Sequence, residues 1–300
     1  MRLALIPPVL ALSWGLNWPA VKIILSVVPP FMARGLGLGL GVLLLVALAI
    51  WQRKSLWPGR AAWPFIVVGG LLTVAAFNIF TAFAQLSTST SRAAVLTFTM
   101  PMMSAVLAWW FLGERPGPRG SLALGLGGLG VLVLARPVLE PILTGGVGAV
   151  PWPGLLLPLA AAAAWASGTV VARRWPPPGD DRLVLTAWQL SLGAAVSGLG
   201  SIASGETWPV DWSPRVLWAL SFHVVVATAV AYVLWYRLLN ELGATVASLT
   251  TLAVPVVGVL GAMALVGDRP SAADWLGFAL VLGGAALVVL KLPDRQTSGR

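Results

Sequence analysis

Apolar runs of about 20 residues recur along the whole chain, and this feature constrains the fold more than any other. A run of that length crosses the roughly 30 Å hydrocarbon core of a bilayer as a helix. Because that core holds no water, each run must satisfy its backbone hydrogen bonds internally, and an α-helix does so. The regular polar and apolar alternation of barrel strands is absent from the sequence. The chain is therefore predicted to be an all-α polytopic membrane protein.

The number of spans follows from where turn formers and charges interrupt the apolar runs. Of the 300 residues, 58% are hydrophobic and 10% are charged, whereas a soluble domain carries roughly 25% charged residues. Ten transmembrane helices are predicted, at residues 3–24, 31–50, 62–84, 92–112, 120–136, 154–173, 183–203, 214–237, 244–266 and 273–291.

The net charge of +9 is explained by topology. With the N-terminus in the cytoplasm, 13 of the 19 Lys and Arg residues fall inside and 6 fall outside, and Arg34 is one of the six. Cytoplasmic loops of membrane proteins carry such an excess of cations. Both termini are therefore predicted to be cytoplasmic, and no basic patch is concentrated enough to predict a nucleic-acid partner.

The chain repeats itself at an offset of 154 residues. Residues 96–116, LTFTMPMMSAVLAWWFLGERP, align with residues 250–270, TTLAVPVVGVLGAMALVGDRP. The alignment places Gly113 on Gly267, and the following apolar spans align as well. Each half thus holds five spans, and an odd number makes the second half enter the membrane from the opposite side.

This repeat predicts the domain organisation and a mechanism. The first repeat covers residues 1–140, the second and inverted repeat covers 150–292, and 293–300 form a cytoplasmic tail. Two such halves around a central cavity can exchange conformations, which opens a midplane site to each side in turn. A carrier is favoured, although duplication could also build a stable bundle or a channel.

Two repeat-related prolines are interpreted as hinges. Pro101 and Pro255 lie inside spans and cannot donate a backbone hydrogen bond to Thr97 and Thr251. We expect each half to hold one bent helix with a freed carbonyl and a hydroxyl facing substrate. The alternative is a static kink that neighbouring helices stabilise.

Polar and aromatic residues inside the spans are the candidate binding residues, because a polar group in lipid is costly unless it faces protein or water. Many intramembrane Ser and Thr residues instead join helices, and many Trp residues anchor at the interface. The resulting cavity is expected to be neutral and to suit a zwitterionic or cationic solute with an aromatic group. The candidates are Trp14, Asn17, Trp18, Asn78, Thr81, Gln85, Thr97, Thr99, Trp165, Thr169, Tyr232, Tyr236 and Thr251.

The sequence lacks the residues that several kinds of chemistry need. Cysteine is absent, His223 is the single histidine, and no Asp or Glu lies at the centre of a predicted span. No metal site, cofactor or enzymatic activity is therefore expected, and no channel-type ring of charges is seen. Transport is predicted to be uniport or weakly coupled, with proton coupling through His223 as the alternative.

One motif imitates a nucleotide-binding loop. Residues 125–130, GLGGLG, fit the dinucleotide fingerprint, which needs a strand before it and an acidic residue about 20 positions later. Because the motif lies inside an apolar span, close helix packing is the favoured interpretation.

These features together resemble a known superfamily. The five-plus-five layout, the Gly-acid-Arg-Pro turns at 113–116 and 267–270, and the Trp-containing first and sixth spans resemble the drug/metabolite transporters, in particular the EamA-type exporters. Length and sequence are similar to the YddG-type exporters of aromatic amino acids and methyl viologen.

The resemblance implies a multi-pass protein of the bacterial inner membrane that exports small metabolites through a central cavity. Aromatic amino acids and cationic drugs are the expected solutes, and a proton-coupled multidrug or metabolite exporter is the alternative. The oligomeric state does not follow from the sequence, and a monomer is compatible with this layout.

Overall fold

The protein is helical throughout the part of the chain that the structure describes. The computed structural model describes residues 3–144, 151–174, 181–209, 211–241 and 243–289. The first half contains α1 (Ile6–Ile24), α2 (Pro30–Trp51), α3 (Trp63–Gly69), α4 (Phe77–Ser87), α5 (Thr90–Thr97), α6 (Met100–Leu112), α7 (Pro118–Leu134) and α8 (Arg136–Leu143). The second half contains α9 (Trp152–Arg174), α10 (Arg182–Ala203), α11 (Pro214–Ser221), α12 (Ala231–Glu241), α13 (Gly243–Val266) and α14 (Ala272–Val289).

Two π-helical segments join shorter helices into longer rods. Gly70–Ala76 connects α3 to α4, and Phe222–Val230 connects α11 to α12. In a π-turn the hydrogen bond spans five residues, and such turns often occur at functional sites. In the second segment the side-chain hydroxyl of Thr228 also donates to the backbone carbonyl of His223, five residues earlier, at 2.9 Å. The third and eighth predicted spans therefore share an irregular turn.

Seven helices within the described ranges are long and apolar enough to cross a membrane. α1 is not one of them, because its 19 residues include Asn17 and Lys22. Two further apolar helices, Pro118–Leu134 and Thr250–Val266, are shorter. The all-helical, multi-pass architecture is confirmed, and the total of ten spans stays a prediction. The seven are Pro30–Trp51, Arg60–Ser87, Thr90–Leu112, Trp152–Ala172, Arg182–Ala203, Pro214–Trp235 and Ala272–Val289.

The two halves pack against each other through corresponding helices. α1 packs along α13, whereas α9 packs along α5 and α6. α2 packs along α10, and α7 along α14. Each of these contacts joins a helix of the first half to a helix of the second, so the core of the molecule lies between the halves.

The glycine motif at 125–130 lies within α7, with no strand in the described chain before it. A Cβ added at Gly127 would overlap the Met102 side chain, and one at Gly130 would lie 2.8 Å from the backbone nitrogen of Val281. The interpretation as a helix-packing motif is therefore confirmed, and at Gly130 the neighbour is α14.

The Gly-acid-Arg-Pro turns have the same local geometry. Gly113 and Gly267 have φ angles of 72° and 76°, in the left-handed region that glycine adopts without strain. The amide of Glu114 donates to Ala108 at 3.2 Å, and the amide of Asp268 donates to Ala262 at 3.2 Å. In each turn the left-handed glycine ends the preceding helix, and the next amide bonds a carbonyl six residues earlier.

Carboxylates of the second half bind helix ends of the first half. Asp268 accepts hydrogen bonds from the amide and hydroxyl of Ser91 at 2.7 and 2.9 Å. Asp274 pairs with Arg92 at 2.5 Å. Glu206 accepts from the amides of Phe31 and Met32 at the start of α2. These contacts stabilise one end of the bundle.

Asp181 stabilises the opposite end, and its contribution depends on pH. Its carboxylate accepts from the Leu183 amide at 2.9 Å and pairs with Lys54 at 2.6 Å. Partial burial raises the pKa of Asp181. The hydrogen bond and charge of Lys54 and the hydrogen bonds of the backbone amides lower this pKa by more, so that the net pKa lies below 3.8. The stabilisation is therefore complete above about pH 4 and is lost as the pH falls through this lowered pKa.

We expect Asp181→Ala to lower the free energy of unfolding by about 1 kcal/mol, the usual contribution of a helix cap. Asp181→Asn keeps a capping oxygen and loses only the charge, so a smaller loss is expected. Thermal unfolding in detergent at pH 7 measures both variants. Equal losses for the two would assign the effect to the ion pair and contradict the cap.

The paired prolines do not occupy equivalent structures. Pro101 lies in the first turn of α6, after a break at Phe98 and Thr99. Pro255 lies inside the unbroken α13. The expectation of one matching bent helix per half is corrected: proline suits the first turn of a helix, where its missing N–H has no partner to lose. The hinge role of both prolines stays a prediction.

Candidate functional site

A polar contact joins the two halves inside the bundle. His223 Nδ1 lies 2.7 Å from Asn17 Oδ1, which links α1 to the second π-helical segment. His223 is 5% exposed. In this orientation of the amide, the Asn17 oxygen is an acceptor for an N–H at Nδ1 of His223. From the sequence, Asn17 and His223 were considered separately. In the structure they are in contact, although 206 positions of the sequence separate them.

α2 reaches the same pair through a glycine. A Cβ added at Gly37 would overlap His223 Nε2. The ring therefore lies directly against the backbone of α2. Only glycine leaves room for a ring that Asn17 also holds, so α1, α2 and the π-helical segment meet at one point.

Arg34 lies one turn before Gly37 on α2, and its guanidinium is buried. The residue is 4% exposed, and Nη2 donates to Thr81 Oγ1 at 3.0 Å. From the sequence, Arg34 was expected only as one of the external cations and not as a site residue. The signal was present, because a charged residue inside a predicted span is a candidate functional residue by default.

α4 continues the site with an amide. Thr81 and Gln85 are four residues apart on α4 and so share a helical face. Gln85 is 1% exposed, and its backbone carbonyl accepts a hydrogen bond from Lys22 Nζ. Asn78, one turn earlier, donates from Nδ2 to the Val74 carbonyl at 2.9 Å. We name Asn17, Arg34, Thr81, Gln85 and His223 the polar cluster.

Aromatic rings lie next to the polar cluster. Trp14 packs on Trp235 with ring centroids 5.3 Å apart, and on Tyr232 at 6.4 Å. Its Nε1 donates to the Ala227 carbonyl at 3.1 Å, which fixes the ring against the π-helical segment. Because Trp14 lies three residues before Asn17, this aromatic wall is one helical turn from the polar cluster.

A second aromatic pair lies on α9. Trp165 packs on Phe77 with ring centroids 4.9 Å apart. Thr169 donates from its hydroxyl to the Trp165 carbonyl at 2.9 Å, within its own helix. Phe77 precedes Asn78, so this pair adjoins the α4 face that carries Thr81. Trp235 and Phe77 were not among the predicted residues, since aromatic residues are common in apolar spans.

Thr97, Thr99 and Trp18 make their contacts in other parts of the bundle. The hydroxyls of Thr97 and Thr99 donate to Ala93 and Leu96 of their own helical segment, at 2.7 and 2.8 Å. Trp18 lies against α13, where a Cβ added at Gly258 would be 3.3 Å from its ring. Thr251 is partly buried on α13, and the side chain of Tyr236 lies outside the described residues.

A cavity of the described structure lies away from the polar cluster. Its volume is about 320 Å³, and it lies between α6, α7 and α9. Of the predicted binding residues it contains only Thr99. Because the rest of its lining is almost wholly apolar, the polar cluster is the better candidate for recognising a polar solute. The lining is Thr99, Met102, Met103, Val106, Leu107, Leu124, Gly127, Gly128, Val131, Ala163 and Ser167.

The charge of the site differs from the sequence expectation. A neutral, amide- and hydroxyl-rich site was predicted, but Arg34 places a buried cation against Thr81. None of the ion pairs found in the described ranges includes Arg34. The site is therefore polarised toward an anionic group.

Comparison with known proteins assigns this architecture. The model of the EamA-like transporter family matches residues 5–136 and 152–290, which together are most of the chain. The chain belongs to the EamA-like transporter family. A solved crystal structure also has the same fold, with a TM-score of 0.63 at 24% identity over 95% of each chain.

Relatives of this family member are named as transporters. YvbV of Bacillus subtilis, an uncharacterised transporter, is 24% identical over 97% of this chain and 92% of its own. YoaV of the same organism is 25% identical over 83% of each chain. YddG of Ancylobacter novellus, named as an aromatic amino acid exporter, is 26% identical over 88% of each chain. These names indicate a transporter and not an enzyme.

Proposed function

We propose that this EamA-family transporter moves aromatic amino acids across the bacterial inner membrane by alternating access. The observation that carries the proposal is the position of the aromatic wall, Trp14, Tyr232 and Trp235, one turn from the Asn17–His223 pair. Aromatic rings stack on a ring in the solute, and amide and imidazole groups hydrogen-bond to its polar end. Tryptophan faces also attract an ammonium group.

Two inverted five-span repeats, 1–140 and 150–292, with a tail at 293–300, supply the conformational change in this proposal. The family model matches the chain twice, and the turns at Gly113 and Gly267 share a left-handed glycine and the same backbone hydrogen bond. Both halves also contain a π-helical segment. Two halves that share such features can exchange conformations around a fixed site.

The direction and orientation belong to the same proposal. Export with both termini in the cytoplasm agrees with the excess of cations on the inner side. The name of the Ancylobacter novellus relative, an aromatic amino acid exporter, supports aromatic amino acids as the solute. We propose uniport or weak coupling, because no carboxylate lies at the centre of a predicted span.

Counterflow in proteoliposomes tests the proposal. Vesicles loaded with unlabelled phenylalanine should accumulate labelled phenylalanine transiently and saturably, since a carrier exchanges solute faster than it returns empty. Trp14→Ala should reduce this exchange by about tenfold, which corresponds to roughly 1.4 kcal/mol of lost contact with the ring. Glycine or aspartate in place of phenylalanine should give little exchange.

Three results would contradict parts of the proposal. Flux that does not saturate would indicate a channel. Exchange of acidic or small solutes without aromatic ones would remove the aromatic wall as a binding surface. Substrate-driven proton movement that disappears in His223→Ala would replace uniport by proton coupling.

A further inference from the structure

Arg34 is a buried cation without a carboxylate partner. Its Nη2 is bonded to the neutral hydroxyl of Thr81, and its buried Nε has no hydrogen-bond partner among the described residues. The carboxylate of Glu206, which lies at the start of α2, accepts from the amides of Phe31 and Met32, and no ion pair of the described residues joins it to Arg34. The guanidinium is therefore only partly satisfied by the protein.

Such an arrangement is costly if its role is structural. Moving a charge out of water costs several kcal/mol per ion even after relaxation, unless a partner of opposite charge compensates. A buried N–H donor without an acceptor adds a further cost. An anion that binds Arg34 would remove both costs, and a planar guanidinium matches a carboxylate in a bidentate geometry.

A second orphaned atom lies on the neighbouring helix. The buried Oε1 of Gln85 has no donor in the described structure, and Gln85 shares a face of α4 with Thr81, the partner of Arg34. Lys22 donates to the backbone carbonyl of Gln85 and not to its side chain. The residue with the unused acceptor thus lies one helical turn from Thr81, which the guanidinium with the unused donor contacts. A solute with both a carboxylate and an N–H group can satisfy the two.

The distance to the aromatic wall suits an aromatic amino acid. α1 and α2 are joined by a short connection and run in opposite directions. His223, bonded to Asn17, touches Gly37, so these residues lie at one level. Arg34 is three residues above that level on α2 and Trp14 is three residues below it on α1, which gives about 9 Å between them along the helix axes. An extended phenylalanine has a comparable length.

We infer that Arg34 binds the carboxylate of the transported solute and that Gln85 accepts a hydrogen bond from its amino group. The inference rests on the proposed function and makes it more specific. It selects amino acids and other aromatic carboxylates, and it disfavours cationic drugs, because a buried guanidinium repels a cation that lacks a carboxylate.

Competition in the counterflow assay tests this inference. Phenylalanine exchange should be inhibited by 3-phenylpropionate, which keeps the carboxylate, at least tenfold better than by phenethylamine, which keeps only the amine. Arg34→Met should remove the inhibition by 3-phenylpropionate and lower phenylalanine exchange at least tenfold, and Arg34→Lys should restore part of both. Arg136→Met, which removes an exposed cation of a surface ion pair, is the matched control and should leave both unchanged.

Thermal unfolding of the purified variants separates binding from folding. Without solute, Arg34→Met should be at least as stable as the wild type, since an unpaired buried charge is lost. 3-Phenylpropionate should raise the unfolding temperature of the wild type and not that of Arg34→Met. A strongly destabilised Arg34→Met, or equal inhibition by phenethylamine, would overturn the inference.

The same assay distinguishes the two proposals when they fail. If the wild type exchanges no phenylalanine but is stabilised by 3-phenylpropionate through Arg34, the proposed substrate is wrong and the carboxylate site stands. If phenylalanine is exchanged and Arg34→Met exchanges it as well as the wild type does, the proposed function stands and the carboxylate site is wrong.

Discussion

Replacing Gly37 by alanine should abolish most of the transport activity while the protein still folds and inserts. The new Cβ would overlap His223 Nε2, so either the ring or α2 must move. The ring is held from its other side by Asn17 at 2.7 Å. Moving it breaks this hydrogen bond and displaces the residue that joins the two halves inside the bundle.

We expect phenylalanine counterflow to fall at least twentyfold in Gly37→Ala, which corresponds to roughly 2 kcal/mol for a displaced ring and a lost buried hydrogen bond. Gly39→Ala is the matched control, because a Cβ there meets nothing within 4 Å on the same helix. Both variants are compared at equal amounts of protein in the vesicles.

A double variant locates the cause. If the loss comes from the displaced ring, Gly37→Ala combined with His223→Ala should be no worse than His223→Ala alone, since the smaller side chain removes the overlap. Additive losses would show that Gly37 acts through another contact of α2, and the proposed role of the Gly37–His223 contact would then be wrong.

Periodicity and hydropathy predicted what depends on local sequence. The apolar runs predicted the helices, because a segment in hydrocarbon has few other ways to satisfy its backbone. The three- and four-residue spacing of Asn78, Thr81 and Gln85 predicted a common face, and all three lie on α4. The interpretation of Gly127 and Gly130 as packing residues was also confirmed, because an apolar helix with glycines can approach its neighbours closely.

Contacts between distant segments could not be predicted from one sequence. Asn17 and His223 are 206 residues apart, and nothing in either neighbourhood specifies the other. Arg34 was visible inside a predicted span, but its position near the span end fitted the count of external cations equally well. Only the packing of α2 on α4 shows that its guanidinium points to Thr81 and not to water.

Sequence symmetry also did not guarantee structural symmetry. Pro101 and Pro255 align at an offset of 154, yet one begins a new helix after Thr99 and the other lies within α13. The outcome depends on what surrounds each proline, since a helix continues past a proline where packing compensates for the lost hydrogen bond. A repeat can therefore supply two conformations for one sequence pattern.

The contact between α7 and α14 leaves no space for a side chain at two glycines, Gly130 and Gly284. A Cβ at Gly130 would lie 2.8 Å from the backbone nitrogen of Val281 and 3.0 Å from the carbonyl oxygen of Gly277. One at Gly284 would lie 2.7 Å from the carbonyl oxygen of Ala123. These neighbours are backbone atoms, which cannot rotate away as a side chain can. The two helices must therefore separate along their length to admit a methyl group.

We accordingly expect Gly130→Ala to destabilise the protein by about 1–3 kcal/mol, the usual cost of overpacking, and to lower its unfolding temperature in detergent by roughly 2–6 °C. Gly128→Ala, two residues away on the same helix, meets nothing within 4 Å and should leave this temperature unchanged or slightly raise it. An equal shift in both variants would mean that glycine flexibility in α7 matters, and not its contact with α14. A large loss confined to Gly130→Ala would assign the stability of the bundle to helix contact between the halves, since hydrocarbon on both sides provides no hydrophobic force to hold α7 and α14 together.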